Sequence, residues 1–160
     1  MLTRALGCPG AAAPRELAGV RLLQRRWGDV EALALSATQQ DPSDSYAWKL
    51  LATARFISND TIGALAAWNR AGEPRLDLLS VAGLDRTRQR PVEQLIGAHR
   101  GALITADSFR RMERRLAELP SAYTTRLSFV PAPDGLGQLR VSVLEQIGRA
   151  HVRTPVTVRN

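Results

Sequence analysis

The sequence predicts an α+β protein in two stretches. N-terminal helical hairpins occupy residues 15–72, a small β-α-α-β-β domain occupies 75–145, and 146–160 form a tail. Three observations carry this reading. Apolar residues recur at helical spacing from Arg15 to about Ala71. Gly72, Glu73 and Pro74 then interrupt the helices, and the period changes. Beyond Pro120, "SAYTTRLSFVPAPDGLGQLRVSVLE" alternates apolar and polar residues on both sides of Asp134-Gly135, which is the pattern of a β-hairpin.

The helical stretch divides at its turn residues. "PRELAGVRLLQRRW" places Leu17, Val20, Leu23 or Gln24, and Trp27 along one stripe, and Gly28-Asp29 is expected to break it. "VEALALSATQQ" follows as a second short helix that ends at Asp41-Pro42. The next hairpin begins at "SDSYAWKLLATARFI", pauses at Ser58-Asn59-Asp60 and continues through "TIGALAAWNRA". Asn59 or Asp60 can cap the incoming helix by accepting bonds from its free N–H groups. Helix pairs of this length, separated by tight turns, suggest a repeat that stacks neighbours to bury a shared core.

In the second stretch "RLDLLSVAGL" is a short extended run ending at Gly83, "RPVEQLIGAH" a short helix and "GALIT" a loop. Thr105 can cap the long helix "ADSFRRMERRLAEL", and Pro120 limits its length. Phe109, Met112, Leu116 and Leu119 make that helix's apolar face. Arg110, Arg111, Arg114 and Arg115 crowd the other side, with Glu118 four residues beyond Arg114. In the hairpin Thr125, Leu127 and Phe129 alternate with Arg126, Ser128 and Val130. Leu139, Val141 and Val143 alternate with Arg140, Ser142 and Leu144. Two such strands are marginal alone and need a helix to cover them. The expected closure is a three-stranded sheet with both helices on one side. Its candidate free edges are the strand starting near Leu76 and the one starting near Tyr123.

Charge and chemistry narrow the function. The formal charge is +7, but Lys49 is the only lysine, so an arginine habit across the chain explains the charge as well as nucleic-acid binding does. Cys8 stands alone, which excludes a disulfide within the chain and a cysteine-built metal cluster. "MLTRALGCPGAAAP" lacks the sustained apolar run of a signal peptide. No apolar segment approaches the roughly 18 residues that a membrane helix needs. His99 sits in a loop with no paired acid at motif spacing, His151 lies in the tail, and Cys8 has no identifiable base. Asp85, Asp107, Glu113 and Glu118 read as turn, cap and solvated-face residues. No catalytic, cofactor-binding or metal-binding residue is assigned, and no cofactor is expected.

Trp48, Leu51, Ala52, Ala64, Trp68 and Ala71 stand at the spacing of the packing positions of the tetratricopeptide repeat, which this stretch resembles. The aromatic usual late in the first helix is replaced by Arg55, with Phe56 adjacent. The earlier pair, about Glu16 to Gln40, matches loosely through "WGDVEAL", so there is one good repeat and one degenerate one. Both tryptophans are expected to serve as packing residues.

From about Arg75 to Glu145 the chain looks like the polypeptide-transport-associated (POTRA) domain of outer-membrane assembly proteins of the BamA/TamA type and of two-partner secretion. The matching pieces are "VAGLDRT", the "DSFRRMERRLAELPS" helix following Gly101, and a closing hairpin whose valine-rich strand (Val141, Val143) ends on Glu145. The resemblance implies that Leu95 and Ile96 pack under the sheet and that Gly83 marks a close backbone turn. It further implies a non-catalytic periplasmic module, preceding an outer-membrane β-barrel, that binds protein substrates or accessory factors by strand addition.

Two other functions remain in view. A cytoplasmic helical-repeat adaptor would use the first stretch alone. A KH-like nucleic-acid module would need a GxxG clamp between its helices. Gly97-Ala98-His99-Arg100-Gly101 separates the glycines by one residue too many, which disfavours a nucleic-acid partner. Beyond Glu145, "QIGRAHVRTPVTVRN" fits neither a barrel strand nor a designed linker. It is read as a disordered tail or as the translation of a sequencing adapter, so the chain is expected to be a fragment whose barrel is missing.

Overall fold

Alanine sets the geometry of the first half. Helices α1 (Ala12–Leu23), α2 (Trp27–Gln40), α3 (Ser45–Ile57) and α4 (Thr61–Arg70) form two hairpins. Ala18, Ala34, Ala52, Ala54 and Ala67 are all buried in one cluster with Val30, Leu50 and Leu51. Small side chains at the contacts bring helix axes toward the short end of the usual 8–10 Å range. The computed structural model describes residues 12–84, 89–119 and 122–145. Cys8, Asp85, Pro120, His151 and the tail 146–160 lie outside the described residues.

The turns follow local chemistry. Asp44 caps α3, its carboxylate accepting from the N–H groups of Tyr46 and Ala47. Of the two candidate caps for α4 it is Asp60 that serves, accepting from Gly63 N–H at 2.8 Å. Asn59 instead takes the left-handed turn position, at φ 65°. Arg55 joins three helices. Its Nε donates to Glu31 Oε1 on α2 at 3.2 Å, and its Nη1 reaches Gly63 O on α4 at 3.5 Å.

The first hairpin departs from expectation. Its helix ends at Leu23 rather than at Gly28-Asp29, and Trp27 opens α2 instead of closing α1. Arg25, at φ 58°, makes the break. Asp29 sits in the first turn of α2 beside Arg26 Nη2 at 2.7 Å, where a carboxylate suits the positive end of the helix dipole. The predicted stripe is wrong for the same reason. Val20 is 42% exposed and Leu23 85% exposed, while Ala18 is fully buried with Leu22 packed beside it. Close approach to α2 selects the small residue rather than the large ones.

The second half runs β1 (Arg75–Ala82), α5 (Gln89–Ile96), α6 (Ala106–Ala117), β2 (Ala122–Ala132) and β3 (Leu136–Glu145). The sheet is mixed, in the order β1-β3-β2, with β1 parallel and β2 antiparallel to the central β3. The protein is thus α+β, with six α-helices and three strands among the described residues. Thr105 caps α6 through a reciprocal pair. Its hydroxyl accepts from Ser108 N–H at 3.0 Å, and Ser108 Oγ accepts from Thr105 N–H at 2.9 Å.

One sheet face is buried under both helices. Leu127 stands opposite Val141 and Phe129 opposite Leu139, and these pack with Val92 and Ile96 of α5 and Phe109, Met112 and Leu116 of α6. Leu95 and Leu119 pack at the margin of this core. Arg126, Arg140, Ser142 and Leu144 are exposed. In β1 a bulge between Leu76 and Leu78 resets the alternation, so that Leu76 and Leu79 both reach the core. Gly83, at φ +82°, closes the strand where any Cβ would collide with the carbonyl oxygen of Val143.

The halves share a core. Leu65 of α4 belongs to the sheet cluster, with Phe56, Ile62 and Trp68 packed against it. Phe129 meets the rings of Phe56 and Trp68 at centroid distances of 5.9 and 5.7 Å. Asn69 adds the polar bond across the junction. Its Nδ2 donates to Glu73 O at 2.9 Å and Ile104 O at 3.0 Å, and its Oδ1 accepts from Ala106 N–H at 3.3 Å. Trp48 also packs, at the rim of the helical cluster, with its Nε1 donating to Pro42 O at 2.9 Å.

Candidate functional site

A three-stranded sheet with β3 in the middle has two outer edges, and they are treated differently. The start of β1 is closed by the loop between α5 and α6. Leu76 N–H donates to Ala102 O at 2.8 Å, Gly101 N–H donates to Leu76 O at 2.7 Å, and Ile104 N–H donates to Pro74 O at 2.8 Å. Arg75 and Leu103 form an isolated antiparallel bridge, and Arg100 pairs with Asp77 at 2.9 Å. These bonds occupy the first part of the β1 edge, around Leu76.

Among the described residues the outer edge of β2 is open. The strand is 11 residues long and pairs with β3 from Ala122 to Ala132. Among the described residues no backbone bond reaches β2 from outside the sheet. Its devices against uncontrolled pairing are Arg126 and Pro131, a charge and a residue that cannot donate to a ladder. Between Thr124 and Val130 seven residues remain, a span of about 23 Å at about 3.3 Å per residue.

A groove follows this edge. Beside Thr125–Leu127 it is walled by Glu113, Leu116 and Ala117 of α6 and holds about 380 Å³. It continues into a wider section of about 650 Å³ lined by Phe56, Ile57, Asp60, Ile62, Phe109 and Phe129. The far wall of that section is the α3–α4 turn, so the helical half contributes directly to the groove. An extended segment laid along β2 would direct alternate side chains into it.

A second surface lies on the helical half. Val20, Leu22, Leu23 and Tyr46 line a shallow groove of about 610 Å³ on the outer side of α1. The arginine-rich face of α6 is exposed, with Asp107 3.6 Å from Arg110 and Arg115 Nη1 donating to Leu95 O at 3.3 Å.

The residues weighed for chemistry are scattered. His99 is exposed in the α5–α6 loop, Asp107 lies in the first turn of α6, Glu113 is exposed on that helix, and Glu118 ends it. Among the described residues no three His, Cys, Asp or Glu side chains converge, and no helix is long and apolar enough to cross a membrane. In the α5–α6 loop Gly97 and Gly101 both have positive φ, but the Gly101 N–H is already bonded to Leu76 O. It is not free to hold a phosphate.

Sequence reasoning named both edge strands without ranking them. Pro131 was a usable signal, because a proline inside a strand belongs at an edge. The loop that closes β1 and the turn that walls the groove carry no local signal, being products of tertiary packing. Comparison of the chain with protein-family models, curated proteins and solved structures gives no match in any of the three.

Proposed function

We infer that this chain is a non-catalytic protein-binding module that takes up extended segments of other proteins as an added strand on β2. The observation that carries the reading is the contrast between the edges: β1 is bonded to its own loop at Leu76, whereas among the described residues no backbone bond from outside the sheet reaches β2, which runs along a groove. Backbone groups of an added strand supply affinity for many sequences, and side chains entering the groove supply preference.

The element order and the mixed sheet support a POTRA-like identity for the second half, and the buried Leu51, Ala52 and Ala64 support a tetratricopeptide-like first half. On this reading the chain is part of the periplasmic portion of an outer-membrane assembly or secretion protein, ahead of a barrel. A helical-repeat adaptor is the second reading, favoured by the exposed Val20, Leu23 and Tyr46. A KH-like role is weaker, because the loop N–H it would use is bonded within the fold.

The test is capture by the purified chain of an unfolded outer-membrane protein and, separately, of single-stranded RNA. Protein capture with little dependence on salt is expected. RNA binding that weakens steeply with salt, with no protein capture, would overturn the reading.

A further inference from the structure

We propose that the α3–α4 turn is a selectivity wall that makes the β2 groove prefer extended peptides with apolar residues at alternate positions and a basic residue at one flank. This rests on the strand-addition reading and concerns which strand is accepted. The wide section of the groove joins two parts of the chain. Phe109 and Phe129 come from the sheet half, and Ile57 and Ile62 from the ends of the helices that flank the turn. Ile57 is 40% exposed, an apolar side chain lining the same section as Arg126–Phe129 of β2.

Leu127 and Phe129 point to the helix-covered face, so residues paired beside them on an added strand would enter the same layer. Two alternate apolar side chains would therefore reach the space bounded by Ile57 and Ile62. The charges at the rim fit one flank of such a peptide. Asp60 lines the wide section, and Glu113 lines both sections, as does Arg126 of β2, so the groove carries two carboxylates against one guanidinium. A lysine or arginine just outside the apolar pair would lie beside a carboxylate.

Fluorescence anisotropy with labelled nine-residue peptides tests this. One peptide carries Leu or Val at alternate positions and a flanking Lys, a second carries Ser or Thr at those positions, and a third is the first with its Lys replaced by Gln. The apolar peptide should bind about tenfold more tightly than the polar one, as burial of a single large aliphatic side chain predicts. Ile57→Ser, a change at an exposed position, should remove most of that gap by weakening only the apolar peptides. Glu113→Gln should weaken only the Lys-flanked peptide, and high salt should erase that effect.

Equal binding of apolar and polar peptides, or a gap unchanged by Ile57→Ser, would overturn the selectivity wall and leave strand addition standing. A Glu113→Gln variant that treats Lys and Gln flanks as the wild type does would overturn the basic flank. No binding of any of the three peptides to the wild type would overturn both the wall and the strand-addition reading.

Discussion

Asn69→Ala would remove the polar bond between the helical and sheet halves. The side chain makes three hydrogen bonds to backbone groups, at 2.9, 3.0 and 3.3 Å, that span from the end of α4 to the start of α6. A net value of about 1 kcal/mol per bond gives about 3 kcal/mol, and the partial exposure of the site brings this to about 2–3 kcal/mol. For a domain of this size the corresponding fall in Tm is about 4–12 °C. Asn69→Asp should cost more at neutral pH, because its carboxylate would face the carbonyls of Glu73 and Ile104 with nothing to donate. Folding would then favour the protonated carboxyl, so the defect should ease as pH falls. Thermal unfolding followed by far-UV circular dichroism and by tryptophan fluorescence measures both effects. Both signals should move together, since Trp68 lies at the junction. A Tm within about 2 °C of the wild type, or helices that keep their original Tm while the sheet signal drops, would refute the shared core.

Gly83→Ala should destabilise by about 2–4 kcal/mol, combining a φ of +82° with a collision against Val143 O, and urea titration would show the lower midpoint. Asp44→Ala should lose about 1 kcal/mol through the missing α3 cap, while Asp44→Asn should recover most of it. The Ser43 hydroxyl and then the Ser43 N–H hold the Asp41 carboxyl below its usual range. The associated stability is therefore present above the ordinary carboxyl pKa and lost as pH falls through the lowered one. An NMR titration should find Asp41 returned toward the ordinary value in Ser43→Ala.

What could be read from the residues was local. The Thr105 cap, the helix-breaking Ser58–Asp60 turn and the Asp134-Gly135 turn each depend on side chains within a few positions. The alternation that pairs Leu127 with Val141 is likewise complete within one hairpin. The α1 stripe failed because packing on alanine outweighed the size of Val20 and Leu23. The division into stretches said nothing of the shared core, since Phe56 and Phe129 are far apart in sequence and their 5.9 Å contact belongs to the tertiary fold. The groove was illegible for the same reason. Its floor is a strand, one wall is α6, and the other is a turn more than fifty residues away in the chain.

Amide hydrogen exchange, read residue by residue by NMR with and without the alternating apolar peptide, bears most directly on strand addition at β2. Alternate amides between Thr124 and Val130 should slow on binding, while those of Leu78 to Ala82 stay unchanged. Protection confined to α1 and α3 around Val20, Leu23 and Tyr46, with β2 exchanging as before, would contradict the account.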